Sequence, residues 1–131
     1  MPPDMNIGPQ TTFREIQQNF GNLDPKLDNR HLRKDESRGL HLHDTGKWSG
    51  IGANAAALRQ NKYEAAFNTV CMSIDRQLGG GEGQKLLLNV LGQEKYQNSL
   101  IEVRDLNRIG LELERIKNAR LEAELNVAKK A

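Results

Sequence analysis

The last third of the chain, residues 93–131, contains no proline and one glycine, so nothing in it forces a helix to stop. Within this stretch, four aliphatic residues recur at spacings of three, four and three: Leu106, Ile109, Leu113 and Ile116. This alternation is typical of the a/d seam of a coiled coil. It predicts one long C-terminal helix whose apolar stripe must pack against another surface.

A second helix is predicted ahead of this stretch, from a face spaced by three or four residues: Tyr63, Phe67, Val70, Ile74 and Leu78. The glycines at 79–81 end it, and the dense apolar run 86–91 follows. Two heptads are too few for a stable free coiled coil. A helical hairpin, residues 54–78 packed on 84–116, therefore explains the seam better. Beyond it the apolar positions change phase to Leu121, Leu125 and Ala128, and this tail is predicted to project.

Residues 1–50 are interrupted by proline and glycine too often to bury a regular face. Thr12 and Glu15 form a capping-box pair, which predicts one short helix with Phe13, Ile16 and Phe20 on one side. Residues 28–38 suggest a mixed-charge loop or a frayed helix. The alternation at residues 40–43 predicts a short strand, for which the sequence indicates no partner strand. We therefore expect a mostly α fold, with an extended arm (1–50) before a helical region (51–131).

The composition is polar for a globular chain of 131 residues, with 37% hydrophobic and 5% aromatic residues. Such a composition favours a thin core completed by a partner, either another protein or a second copy. The single cysteine, Cys71, excludes an internal disulfide and a cysteine-based zinc site, and its apolar surroundings predict burial. No Sec-type signal peptide or bilayer-spanning apolar run is present in the sequence. We expect a cytoplasmic protein or one incorporated into a particle.

The sequence contains no catalytic or cofactor signature, so we expect a non-enzymatic protein without a cofactor. The favoured hypothesis is a structural or adaptor subunit of a larger assembly, of which a virion or another multi-subunit particle is one form. Its arm would contact neighbours through Phe13, Ile16, Phe20 and Trp48. Its long helix would contact them through the seam of Leu106, Ile109, Leu113 and Ile116.

Two alternatives remain open at this point. The first is a nucleic-acid-associated accessory protein, in which Arg104, Arg108 and Arg115, together with residues 129–130, contact phosphates. A net charge of +2 and interleaved carboxylates do not favour it. The second is metal-dependent activity at His41 and His43, which alternation would place on one face of a strand.

Overall fold

The computed structural model describes residues 4–21, 25–42 and 53–130. Within these ranges the protein is mostly helical and has one two-stranded antiparallel sheet, so the predicted fold class and the long C-terminal helix are confirmed. The elements in chain order are α1 (Phe13–Phe20), a 3₁₀ turn (Pro25–Leu27), β1 (Leu32–Asp35), β2 (Gly39–Leu42), α2 (Ala53–Leu78), α3 (Glu82–Leu91), α4 (Gln93–Gln97) and α5 (Val103–Lys130).

Helix α1 begins and ends where local sequence signals place it. The Thr12 hydroxyl accepts a hydrogen bond from the Glu15 amide at 3.2 Å, as an N-cap residue does. Gly21 closes the last turn by donating its amide to the Gln17 carbonyl at 2.6 Å. The helix buries its apolar face completely, so α1 is a core element of this chain.

Strands β1 and β2 form a tight hairpin that corrects the predicted loop at residues 28–38. Leu32 pairs with Leu42 and Asp35 pairs with Gly39 across the ladder. Gly39 has φ +71°, a conformation that suits glycine at the end of the turn. Strand β1 was not predicted from the sequence because a charged residue, Arg33, occupies a buried position in it. The Arg33 guanidinium lies 5.9 Å from the centre of the Tyr63 ring on α2.

The long C-terminal helix begins at Val103 and not at residue 93, because a short helix and a break precede it. Gly92, with φ +83°, separates α3 from α4, and Ser99, with φ +57°, lies in the break between α4 and α5. The break is fixed by long-range pairing, since the Ile101 carbonyl accepts from the Leu32 amide at 2.8 Å. The first amide of α5, that of Val103, donates to the Arg30 carbonyl at 3.0 Å. Contacts with the N-terminal region thus replace the helical hydrogen bonds lost at the break.

One buried cluster joins the N-terminal elements to the helices. It includes apolar residues from α1, from both strands and from α2, α3 and α5. Helices α2 and α3 pack as a hairpin, and α3 and α1 both pack on α5. The boundary predicted between residues 50 and 51 lies outside the described residues. What the structure describes of residues 1–50 shares its core with the helical region.

Candidate functional site

The residues predicted to dock on neighbouring subunits are located in the chain's own core. Phe13, Ile16 and Phe20 are at most 1% exposed, because α1 lies directly on α5 and α2. The expectation that they would be available to another subunit is therefore corrected. Trp48, the fourth residue predicted to form this interface, lies outside the described residues.

The predicted seam of α5 is likewise occupied by this chain. Leu106, Ile109 and Leu113 are buried, and Ile116 is half-buried against the same core. The seam residues therefore pack as the periodicity predicted, but their partners are α1 and α3 of the same molecule. Exposed apolar side chains lie elsewhere, at Met72, Leu88 and Leu111 and in the part of α5 beyond the seam, where three of them lie close together.

Every side chain described from residue 117 to residue 129 is exposed. This segment, which we call the α5 tail (residues 117–130), includes three large apolar side chains in water. Leu121 is 55% exposed, Leu125 is 54% exposed and Val127 is 70% exposed. Exposed apolar patches mark interaction sites, so this segment is a candidate surface for contact with another protein.

Arg120 marks the point where the tail leaves the body of the protein. Its guanidinium donates to the carbonyl of Leu78, the last residue of α2, at 2.7 Å. A second guanidinium nitrogen lies 3.7 Å from a Glu82 carboxylate oxygen at the start of α3. Arginine at a helix C-terminus satisfies a carbonyl that has no intrahelical partner. The ten residues after Arg120 then extend the helix by about 15 Å.

The apolar side chains of the tail do not share one face. With about 100° per residue, Leu121 and Leu125 lie on one side of the helix, together with Asn118 and Ala128. Val127 lies well around the helix from this group. We call the first group, Asn118, Leu121, Leu125 and Ala128, the tail face. The change of phase at these positions was predicted from the sequence, but the predicted interface residues lay elsewhere, in α1, at Trp48 and in the seam.

The three arginines predicted to contact phosphates already face carboxylates. The Arg104 guanidinium lies 3.2 Å from Glu102, and that of Arg108 lies 3.4 Å from Asp105. Arg115 donates three hydrogen bonds to the Glu112 carboxylate, from Nε at 3.0 and 3.1 Å and from Nη2 at 2.5 Å. This pairing raises the pKa of Arg115 and lowers that of Glu112. A phosphate would have to compete with each of these carboxylates, so the arrangement does not favour a nucleic-acid surface.

His41, one of the two histidines predicted as metal ligands, is 2% exposed on β2. Its Nδ1 lies 3.0 Å from the Gly39 carbonyl, and its Nε2 lies 3.8 Å from an Asp35 carboxylate oxygen. Burial lowers the pKa of His41. His43 lies outside the described residues, so the pair is not tested. Among residues 4–21, 25–42 and 53–130, no three His, Cys, Asp or Glu residues are grouped as a metal site would require.

Asp35 belongs to the hairpin turn beside His41. Burial acts to raise the pKa of its carboxyl, but hydrogen bonds from the Arg38 amide at 2.7 Å and the Ser37 hydroxyl at 2.9 Å lower it. The positive charge of Lys62, 3.5 Å away, acts in the same direction, and the pKa of Asp35 is about 2. These partners make Asp35 a structural cap of the turn.

Asp105 is a buried carboxylate that the sequence analysis did not single out. Its side chain is fully buried, and it accepts a hydrogen bond from the Glu102 amide at 2.9 Å. It also pairs with the Lys95 ammonium, which lies 3.0 Å from the Glu102 carboxylate. An acidic residue three positions after the N-cap that bonds back to the N-cap amide is half of a capping box. This cluster fixes the start of α5 against α4.

Cys71, predicted to be a buried thiol, is buried on α2. Burial and the nearby Asp75 carboxylate raise the pKa of the thiol, which disfavours the reactive thiolate. A groove of about 570 Å³ lies between α1 and α5, with Gln77 of α2 at its edge. Its lining combines Phe13 and Leu113 with the side chains of Arg14 and Lys117. No grouping of nucleophile and base is evident along this groove.

Comparison with known proteins finds no matching family model, no matching curated protein and no matching solved structure. In the part of the chain that the structure describes, no helix is both long enough and apolar enough to cross a membrane.

Proposed function

We propose that this protein is a non-enzymatic structural or adaptor subunit that binds another protein chain through its α5 tail. The observation that carries the proposal is that every side chain from residue 117 to residue 129 is exposed, with Leu121 and Leu125 exposed over more than half of their surface. Apolar side chains that face water contribute no burial free energy to folding. An amphipathic helix commonly buries such side chains in a protein groove or against a second helix.

The organisation of the rest of the chain supports this role. One hydrophobic core joins α1, the β-hairpin and the remaining helices. The body of the protein therefore has a hydrophobic core of its own. The contacts of Arg120 with Leu78 and Glu82 tie the base of the tail to that body. A folded body with a firmly attached projecting helix is suited to hold a binding element at a defined distance and direction.

The proposal is tested with the full chain in its native source. We would compare the wild-type chain with Leu121→Asp/Leu125→Asp, carrying the same affinity tag, after chemical cross-linking. Loss of a stoichiometric cross-linked protein, together with a lower native mass of the complex, is expected for this variant. The matched control is Val127→Asp, which places one charge on another side of the same tail and should retain the complex.

Both variants change exposed residues, so their far-UV circular dichroism and melting temperature should match those of the wild-type chain. If Leu121→Asp/Leu125→Asp recovers the same cross-linked species in the same proportions, the tail does not bind and the proposal fails.

A further inference from the structure

The tail face lies on the same side of α5 that α1 covers lower down the helix. Gln17 of α1 donates to the Asn107 side chain at 3.2 Å. Leu125 follows Asn107 by 18 residues, which is five full helical turns. Helix α1 stops covering this side near Lys117, since Thr12, Arg14 and Lys117 line one groove. The tail face therefore continues the side of α5 on which Gln17 contacts Asn107, an exposed residue at the edge of the α1 contact.

Resting on the function proposed above, we propose that the occupant of the tail face is the same face of a second copy of this chain, packed antiparallel. In this dimer Leu121 of one copy packs on Leu125 of the other, and the reverse contact follows from the two-fold symmetry. Asn118 lies opposite Ala128 at each end of the overlap.

The charges beside the tail face are complementary in this arrangement. With Asn118 and Leu125 at a positions and Leu121 and Ala128 at d positions, Lys117 and Glu124 fall at g, and Glu122 and Lys129 fall at e. Antiparallel helices pair g with g and e with e. Lys117 then faces Glu124 of the second copy, and Glu122 faces Lys129 of the second copy. All four residues are exposed, and each dimer contains these two kinds of pair twice.

The position of α1 selects the antiparallel orientation over the parallel one. In a parallel pair the two bodies would lie at the same end, and each α5 would enter the space beside Asn107 and Gly110 that α1 occupies. In the antiparallel pair the bodies lie at opposite ends, and the overlap runs from Asn118 to Ala128. At its first turn the second copy also lies beside Gln77 and Leu78, which line a groove with Asn118 and Leu121.

The short overlap also determines the strength of the dimer. An interface of about three turns from each chain falls below the size of a stable protein interface. Its dissociation constant is expected to be on the order of tens of micromolar or weaker. Dimerisation is therefore strongly concentration-dependent and becomes persistent where copies are held close together in an assembly.

Sedimentation equilibrium of the full chain tests the proposal, from about 10 µM to about 1 mM, a range that brackets the affinity expected of a small interface. The wild-type chain should pass from monomer to dimer. Leu121→Gln/Leu125→Gln, which keeps good helix formers, should weaken the dimer at least about tenfold. Val127→Gln is the matched control and should dimerise as the wild-type chain does. A chain that stays monomeric to the highest concentration, or dimers equally strong in all three proteins, would overturn the proposal.

Charge reversal tests the orientation. Lys117→Glu should weaken the dimer, because the new glutamate would face Glu124 of the other copy at each end of the overlap. Adding Glu124→Lys on the same chain restores the pairs of an antiparallel dimer but places like charges together in a parallel one. Recovery of the wild-type constant by this double variant supports the proposal. Recovery with Lys117→Glu/Glu122→Lys instead would show a parallel pair and overturn it.

The outcomes separate this inference from the proposed function. A monomeric chain that still loses a heterologous cross-linked protein on Leu121→Asp/Leu125→Asp would refute the self-association and leave the adaptor role standing. A chain with neither self-association nor any tail-dependent cross-link would refute both.

Discussion

Replacing Asp105 with asparagine should destabilise the protein by about 2–3 kcal/mol, because the change keeps the shape of the side chain and removes its charge. The carboxylate is fully buried and faces the Lys95 ammonium. Breaking a buried ion pair from one side commonly costs about 3–5 kcal/mol. The loss is smaller here, since Lys95 is 25% exposed and keeps Glu102 at 3.0 Å. Asparagine can also still accept the hydrogen bond from the Glu102 amide.

Thermal unfolding followed by circular dichroism measures the effect. For a chain of this size, about 1 kcal/mol corresponds to a shift of about 3–5 °C, so Asp105→Asn should lower the melting temperature by about 10 °C. Glu114→Gln is the matched control, because its carboxylate lies on the same helix but is 65% exposed. It should unfold within about 0.5 kcal/mol of the wild-type chain.

A double-mutant cycle with Lys95→Met identifies the cause. If the charge of Asp105 is offset by Lys95, the double variant should be more stable than the sum of the single effects predicts, by about 1–3 kcal/mol. An Asp105→Asn chain that melts within 2 °C of the wild-type chain (about 0.5 kcal/mol), or a cycle with no coupling, would contradict the buried pair.

Three further predictions concern the packing and the hairpin. Gly83→Ala should lower the free energy of unfolding, measured by urea titration, by about 2–3 kcal/mol, because its Cβ would meet the backbone of α2. Gly110→Ala, whose Cβ would meet only a flexible glutamine side chain, should change it by less than about 1 kcal/mol. Leu113→Asp places a charge at a position that is 4% exposed, so this variant should be unfolded at 37 °C. Leu111→Asp changes a residue that is 74% exposed and should stay folded. Similar stability of the two variants would contradict the described face of α5. The pKa of Asp35 is about 2 against an ordinary 3.8, so the folded protein should lose up to about 2 kcal/mol as the pH falls from 4 toward 2, and Asp35→Asn should remove that loss from acid-unfolding curves.

Elements encoded by neighbouring residues could be predicted from the sequence. Helix α1 depends on the Thr12 cap and on Gly21, all within ten residues of one another. Helix α2 was predicted over 54–78 and spans Ala53–Leu78, because its apolar periodicity and the following glycines are local signals. The projection of the tail was also predicted, since the phase change after Ile116 removes the seam from the core.

Elements that depend on distant contacts could not be predicted. Strand β1 consists of three charged residues after one leucine, and it is defined by its pairing with β2 and its packing on α2. The break before α5 depends on hydrogen bonds from Ile101 and Val103 to residues about 70 positions earlier. Neither Asn98 nor Ser99 is a strong enough helix breaker to reveal it in the sequence.

The candidate site was missed for a related reason. Polar composition led to the expectation that a thin core would be completed through Phe13, Ile16 and Phe20. The structure places these residues in a core formed by the chain itself. Part of the polarity belongs instead to the tail, where Leu121 and Leu125 are surrounded by charged residues. An average over 131 residues, with a mean hydropathy of −0.71, cannot separate a well-packed body from a polar projecting helix.

Helix α5 therefore changes its packing partners along its length while its backbone remains continuous. Up to Leu113 its apolar face is buried, and at Arg120 a side chain ties α5 to the ends of α2 and α3. Every side chain from residue 121 to residue 129 is exposed. Because one continuous helix joins the core to the tail, the proposed binding at Leu121 and Leu125 would fix the orientation of the whole body relative to the bound chain. A flexible linker would bring the partner close without setting that orientation. Such rigid coupling suits the structural or adaptor role proposed above for the α5 tail.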